Sequence, residues 1–203
     1  KITHVSETTV DNAFTWTVQN ESYYTKGEDT VGKLTVTPAT LTIVTQGATK
    51  AYDGTALTAG GTIDGFVTPT GGEKETATFK VTGSQTPVGK SDNTYTLTWD
   101  GTAKQTDYTL DETIGELEVT KSTDELKVAS KDGSWTYDGN AHTKYEYTVT
   151  YGSKTYDVTI AEGAATGTAT LSTGDVVTIT PAATAKITHV SETTVDNAFT
   201  WTV

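Results

Sequence analysis

KITHVSETTVDNAFTWTV, residues 1–18, returns without a single change at residues 186–203. Its last five residues, Phe14-Thr15-Trp16-Thr17-Val18, alternate apolar and polar with a period of two, the pattern of a half-buried strand. Eighteen identical residues at an offset of 185 are not chance, and unselected drift would have separated the copies. The simplest account is a tandem array of nearly identical repeats, seen here as one full period plus an overlap. His4 and His189 are then one position met twice, as are Trp16 and Trp201.

A weaker repeat lies inside the period. Val31-Gly32-Lys33-Leu34-Thr35-Val36-Thr37 matches Ile114-Gly115-Glu116-Leu117-Glu118-Val119-Thr120, a shared apolar-G-x-L-x-V-T strand. Each is followed by a short alternating segment, Leu41–Val44 or Leu126–Val128, and then by a YDG triplet, Tyr52-Asp53-Gly54 or Tyr137-Asp138-Gly139. The repeating unit is therefore a short strand, YDG, a variable β body and a closing G-x-L-x-V-T strand. This divides the chain into residues 1–39, the C-terminal part of a B-type repeat with orphan strands; 40–122, a complete A-type repeat; and 123–203, the N-terminal part of the next B-type repeat.

Period-2 alternation continues through Thr76–Val81, Thr94–Trp99, Tyr145–Thr150 and Phe199–Val203. Turn chemistry separates these runs at Asp64-Gly65, Gly71-Gly72, Asp100-Gly101, Asp132-Gly133 and Gly174-Asp175. No stretch of helical length carries a 3.6-residue apolar stripe; short helical turns fit near Glu73–Thr76 or Glu192–Ala198. The expected fold is all-β: tandem small antiparallel β domains, each an immunoglobulin-like sandwich of about six or seven strands, with a β-grasp-like arrangement as the alternative. The expected core is Phe79, Tyr95, Leu97, Trp99, Leu117 and Val119 in the first repeat, and Trp135, Tyr147, Val149, Phe199 and Trp201 in the second.

Composition agrees and excludes much. Hydrophobic residues make up only 34% of the chain, and 49 threonines fill part of the gap, which suits strands and not helices. Without cysteine there are no disulfides, thiolate metal sites or cysteine nucleophiles. A net charge of −12 with no arginine repels nucleic acid and anionic lipid, so neither is an expected partner. No apolar run is long enough to span a membrane as a helix.

The chemistry-bearing residues fall short of a catalytic set. There is no G-x-S-x-G elbow, and His4/His189 and His142 fit structural or surface roles. The acidic pairs Glu28-Asp29, Asp111-Glu112 and Asp124-Glu125 read as solvated surface; Asp111, Glu112, Asp124 and Glu125 would be the ligands if a linker held calcium, but no calcium-loop motif supports it. No catalytic residue, cofactor or metal site is assigned. The residues singled out are the turn motifs Tyr52, Asp53, Gly54, Tyr137, Asp138 and Gly139: Asp-Gly makes a tight turn, and the Tyr is expected to anchor it on the core with its hydroxyl at the edge.

KAYDGTALTAGGTIDGFV, FKVTGSQTPVGKSDNTYTL and DYTLDETIGELEVTK together resemble the YDG/MBG-type tandem repeat domains of large Gram-positive bacterial cell-surface proteins. SWTYDGNAHTKYEYTV, with NAFTWTVQNESYYTKGEDTVGKLTVTP, is similar to a sister repeat of the same proteins. The resemblance implies an extracellular, cell-wall-anchored adhesin stalk, a non-enzymatic structural repeat that spaces or presents a binding head. The alternative is a repeat that itself binds a host ligand: immunoglobulin, mucin glycan or matrix protein. Exposed tryptophan distinguishes the two, since a spacer buries its Trp residues and a binder displays some. The expected partners are neighbouring repeats of the same protein. The separation of the closing strand Val31–Thr37 from the domain it completes adds a head-to-tail strand swap between chains, because a lone strand is not stable in water.

Overall fold

The computed structural model describes residues 1–7 and 9–203, and it is all-β. Ten strands run through the first part of the chain: β1 Val10–Asp11, β2 Lys33–Leu34, β3 Ala39–Thr45, β4 Ala48–Ala51, β5 Gly61–Asp64, β6 Thr78–Val81, β7 Gly89–Asp92, β8 Tyr95–Thr98, β9 Tyr108–Thr113 and β10 Glu116–Thr120. Six follow: β11 Leu126–Ser130, β12 Glu146–Tyr151, β13 Lys154–Thr159, β14 Gly167–Thr170, β15 Val176–Pro181 and β16 Phe199–Thr202. Among the described residues the only helical pieces are single 3-10 turns, and no helix is long and apolar enough to cross a membrane. The helix that a β-grasp lays across its sheet is not among them.

The chain forms two compact units. The first comprises residues 1–48, 58–84 and 90–118, and the second 49–57, 85–89 and 119–203. The sequence-derived boundaries at 39/40 and 122/123 follow the repeat pattern, whereas this division follows contacts and groups residues 1–39 with the first unit.

In the first unit β3 has the alternation Leu41-Thr42-Ile43, with Leu41 and Ile43 fully buried. It pairs antiparallel with β5 and parallel with β9, so this sheet is mixed and not purely antiparallel. The parallel register, Leu41 beside Leu110, follows a 3-10 turn at Gln105–Asp107 that brings Tyr108 under β3. Tyr108 is the centre of the core: Trp99 stacks on it at 5.9 Å and Phe66 meets it edge-on at 5.7 Å. Its hydroxyl donates to the Glu75 carboxylate and accepts the Val67 N–H at 3.0 Å. Sequence reading overlooked Tyr108, because the DYTLDET run has no clean alternation to mark it.

Asn93, with no exposed surface, and Thr45 are the buried polar residues of this unit among the described residues. Asn93 Nδ2 donates to the carbonyls of Gln46, Ala59 and Gly60, at 2.9, 3.3 and 3.2 Å, tying its own segment to the two that run on from β3 and into β5. Its own backbone N–H donates to Gly115 O at 2.7 Å. Strands β4, β10 and β7 form a sheet in which β10 is central. On it, Leu117 and Val119 are 0% and 1% exposed, as expected of the closing strand.

The second unit contains two three-stranded antiparallel sheets, β11-β12-β13 and β14-β15-β16, which share one core. Tyr147 and Val149 from β12 meet Val177 and Ile179 from β15, all four fully buried, and Phe199 packs edge-on against Tyr147 at 5.3 Å. The β12–β13 hairpin turns on Gly152-Ser153, with Gly152 at φ 55°, as two-residue hairpin loops require.

Five expected core residues are less enclosed than foreseen, among them Phe199, which is half-buried at the margin of the second core. Phe79, Tyr95 and Leu97 are half-buried, because β6 and β8 form only a two-stranded sheet, and Trp99 is half-buried beside Tyr108. Trp135 and Trp201 are not core residues at all, being 41% and 40% exposed. Trp201 pairs with Ile179 on the edge strand β16, and Trp135 stands on a segment that belongs to no sheet.

Leu117→Ala should lower the stability of the first unit by about 2–5 kcal/mol, from lost burial and the cavity left behind. Leu110→Ala, at a residue 42% exposed, should change it far less. Urea unfolding followed by tryptophan fluorescence separates the two.

Candidate functional site

Both YDG triplets form the turn that Asp-Gly chemistry dictates. Gly54 and Gly139 take φ values of 82° and 81°, which favour glycine. In the first, Asp53 Oδ1 accepts the Thr55 N–H at 2.9 Å, the Thr55 hydroxyl at 2.8 Å and Lys50 Nζ at 2.7 Å. The Lys50 ammonium, together with the two Thr55 donors, holds the Asp53 carboxyl well below the usual carboxylate range. In the second, Asp138 accepts the Asn140 N–H at 2.9 Å, Asn140 Nδ2 at 3.1 Å and His142 Nε2 at 2.9 Å. Those bonds, the Asn140 N–H foremost, lower the Asp138 carboxyl to about 2.

The tyrosines diverge. Tyr52 is half-buried and donates its hydroxyl to Asp175 Oδ2 at 2.9 Å, a bond that raises the Tyr52 phenol above its ordinary value. A Cβ at Gly54 would stand 1.9 Å from Thr173 O, so this turn is seated tightly on the Thr173–Asp175 turn. Tyr137 does not anchor its turn on the core. It is 59% exposed, with the His189 ring 6.1 Å away, and nothing lies near a Cβ built at Gly139. The two triplets thus share a local turn but not a docking role, and no contact joins them into one site.

An open groove of about 640 Å³ lies in the second unit. One wall is Asp132, Gly133 and Trp135, and the other is Thr193 to Asn197. Trp135 stacks on His142 with rings 5.1 Å apart and nearly parallel, and His142 is fixed in turn by Asp138. Asn197 closes one end, its Nδ2 donating to Lys144 O at 2.8 Å and Lys131 O at 3.1 Å. Sequence reading missed this groove, although the motifs that line it, the segment before YDG and the DN before the last strand, were all in view.

The duplicated 18 residues adopt one local motif and two tertiary settings. In both copies a 3-10 turn, Val5–Glu7 or Val190–Glu192, is closed by its glutamate, which accepts the N–H groups of Thr3 and His4 or of Thr188 and His189. These bonds lower the carboxyls of Glu7 and Glu192 alike. Beyond the turn the copies part. His4 Nδ1 lies 2.6 Å from Asp107 Oδ2, whose other oxygen accepts the Val5 N–H at 2.9 Å. His189 faces the Tyr137 ring instead, while Ile187 bridges to His142.

No three acidic or histidine side chains converge as a metal site needs among the described residues. Glu112 is engaged by the Tyr95 hydroxyl, whose pKa rises to about 12, from its burial first and from that carboxylate second; Glu125 pairs with Lys127 at 2.9 Å. No family model, curated protein or solved structure matches the chain.

Because hydrogen bonds in the folded turn lower the Asp138 carboxyl from its ordinary 3.8 to about 2, it adds stability above about pH 4 that is lost as the pH falls through 4 to 2. Asp138→Asn should flatten that part of an acid titration followed by Trp135 fluorescence. Asp107→Asn should release the N-terminal segment, read as faster proteolytic cutting before Val10 with the β3–β9 core intact.

Proposed function

We propose that this chain is a non-enzymatic structural repeat of a cell-surface adhesin, extracellular and anchored to a Gram-positive cell wall, that spaces or presents a binding head. The observation that carries the reading is the identity of residues 1–18 and 186–203 at an offset of 185. Selection for an unchanged repeat suits a part whose value lies in number and length. The two β units, both cored by strand alternation and built without cysteine, fit a module that is added in series. A polar, uncharged threonine surface and a net charge of −12 fit a protein that stays in solvent outside the cell.

One observation favours the second reading, that the repeat itself binds a host immunoglobulin, mucin glycan or matrix protein. Trp16, Trp135 and Trp201 are 45%, 41% and 40% exposed, where a pure spacer was expected to bury them. Trp16 is occupied, since its Nε1 donates to Asp29 at 2.9 Å and Lys26 lies over its ring at 4.9 Å. Trp135 lines the groove, so a strand laid there would cover it without any host ligand. The spacer reading therefore keeps precedence.

Immobilised immunoglobulins, mucins, matrix proteins and a glycan array, probed with the folded chain, test both. The spacer reading expects no saturable binding. A saturable signal reduced about tenfold or more by Trp135→Ala or Trp201→Ala would replace it with the host-binding reading.

A further inference from the structure

We propose that the groove of the second unit is the seat of a central β-strand, and that its occupant is Val31–Thr37 of a second copy of this chain. This goes beyond the stalk reading and stands whether or not the protein is an adhesin.

The closing strand β10 shows what such a seat looks like. On one side, Asn93 N–H donates to Gly115 O at 2.7 Å, and Lys90 pairs with Glu116 at 2.6 Å. On the other, the segment leading into the first YDG holds it: Tyr52 N–H donates to Thr120 O at 2.9 Å, and the Thr120 hydroxyl donates to Lys50 O at 3.3 Å. The strand therefore lies between the residues before an Asn and the residues before a YDG. The groove has those two walls: Thr193–Asp196 before Asn197, and Asp132–Trp135 before Tyr137. Asn197 repeats the role of Asn93, donating its amide to backbone carbonyls, and in both the Oδ1 is buried and unpaired.

The matching occupant is already in the chain. Residues 10–12 are identical to 195–197, and they bind the closing strand's twin: Asn12 N–H donates to Gly32 O at 2.8 Å, Asp11 faces Lys33, and Val10 faces Leu34. A sequence that accepts Gly32–Leu34 at Val10–Asn12 presents the same backbone and side chains at Val195–Asn197. The ion pair transfers too, because Lys33 now meets Asp11 and would meet Asp196, with Asp132 on the opposite wall.

The exchange has a driving force. Paired with residues 10–12 alone, β2 is held along one edge, and Leu34 and Val36 stay half-buried. In the equivalent positions, flanked on both edges, Leu117 and Val119 are enclosed completely. Moving into the groove keeps the first set of backbone bonds in kind and adds a second wall, with Trp135 covered by the incoming strand. Such contacts are heterologous, so they lead to closed rings or growing chains of molecules.

The absence of cysteine permits a direct test. Lys33→Cys and Asp196→Cys are placed in separate full-length chains, at exposed side chains of the Asp11–Lys33 register, then mixed under mild oxidation. We expect a disulfide-linked heterodimer at least about tenfold above that from Lys33→Cys with Lys154→Cys. Locking the segment at home with Asp11→Cys/Lys33→Cys should abolish the concentration-dependent mass of the otherwise native chain, read by light scattering. Heterodimer no more abundant than the Lys154 control overturns the proposal. So does a Lys33→Cys/Asp196→Cys double variant that closes as a disulfide-linked monomer on dilution, since the chain's own segment would then be the occupant.

Discussion

A buried central strand must be paired along both edges, and much of this molecule is arranged around that demand. A backbone N–H or C=O without a partner is expensive once water is excluded. Leu117 and Val119 can be fully enclosed only because the strand that carries them has a neighbour on each side. Where G-x-L-x-V-T has one neighbour, as at Lys33–Leu34, only two residues keep strand geometry and the apolar side chains remain partly wet. The difference between these two settings of one motif is pairing, not composition.

Asparagine supplies the fixed point. Asn93 and Asn197 each turn an amide towards backbone carbonyls, gathering segments distant in sequence at the place where a ladder ends. The carboxylates do comparable work at the surface. Asp53, Asp138, Glu7 and Glu192 each fix a turn through bonds from nearby N–H groups, and each is held in its charged form by them. Turn geometry in this chain is thus locally encoded, and it recurs wherever its few residues recur.

That distinction explains what the sequence disclosed. The all-β class, most strand positions, both YDG turns and the burial of Leu117, Val119, Tyr147 and Val149 all follow from periods and turn residues, which are local signals. Tyr108 escaped notice because its importance comes from Trp99 and Phe66 converging on it, not from its neighbours in the chain. The parallel pairing of β3 with β9 was equally invisible, since alternation carries no information about strand direction. Trp135 and Trp201 look like core residues by pattern; their exposure depends on which segments lie alongside. The groove itself is a property of two walls more than fifty residues apart in sequence. His4 and His189, identical in flanking sequence and yet facing Asp107 in one case and Tyr137 in the other, show the limit most plainly.

The place of the closing strand at the end of its unit has a temporal side. A chain that emerges from its N-terminus, whether from a ribosome or through a membrane pore, delivers the walls of such a seat long before the strand that fits between them. The sheet centred on β10 must wait for Glu116–Thr120 after Ala48–Ala51 and Gly89–Asp92 have already appeared. During that interval Val31–Thr37, a segment of the same pattern, has already emerged, and pairing of high sequence separation is slow to compete with it. Two segments of one pattern can therefore compete for one seat, and the order of their arrival bears on which of them takes it.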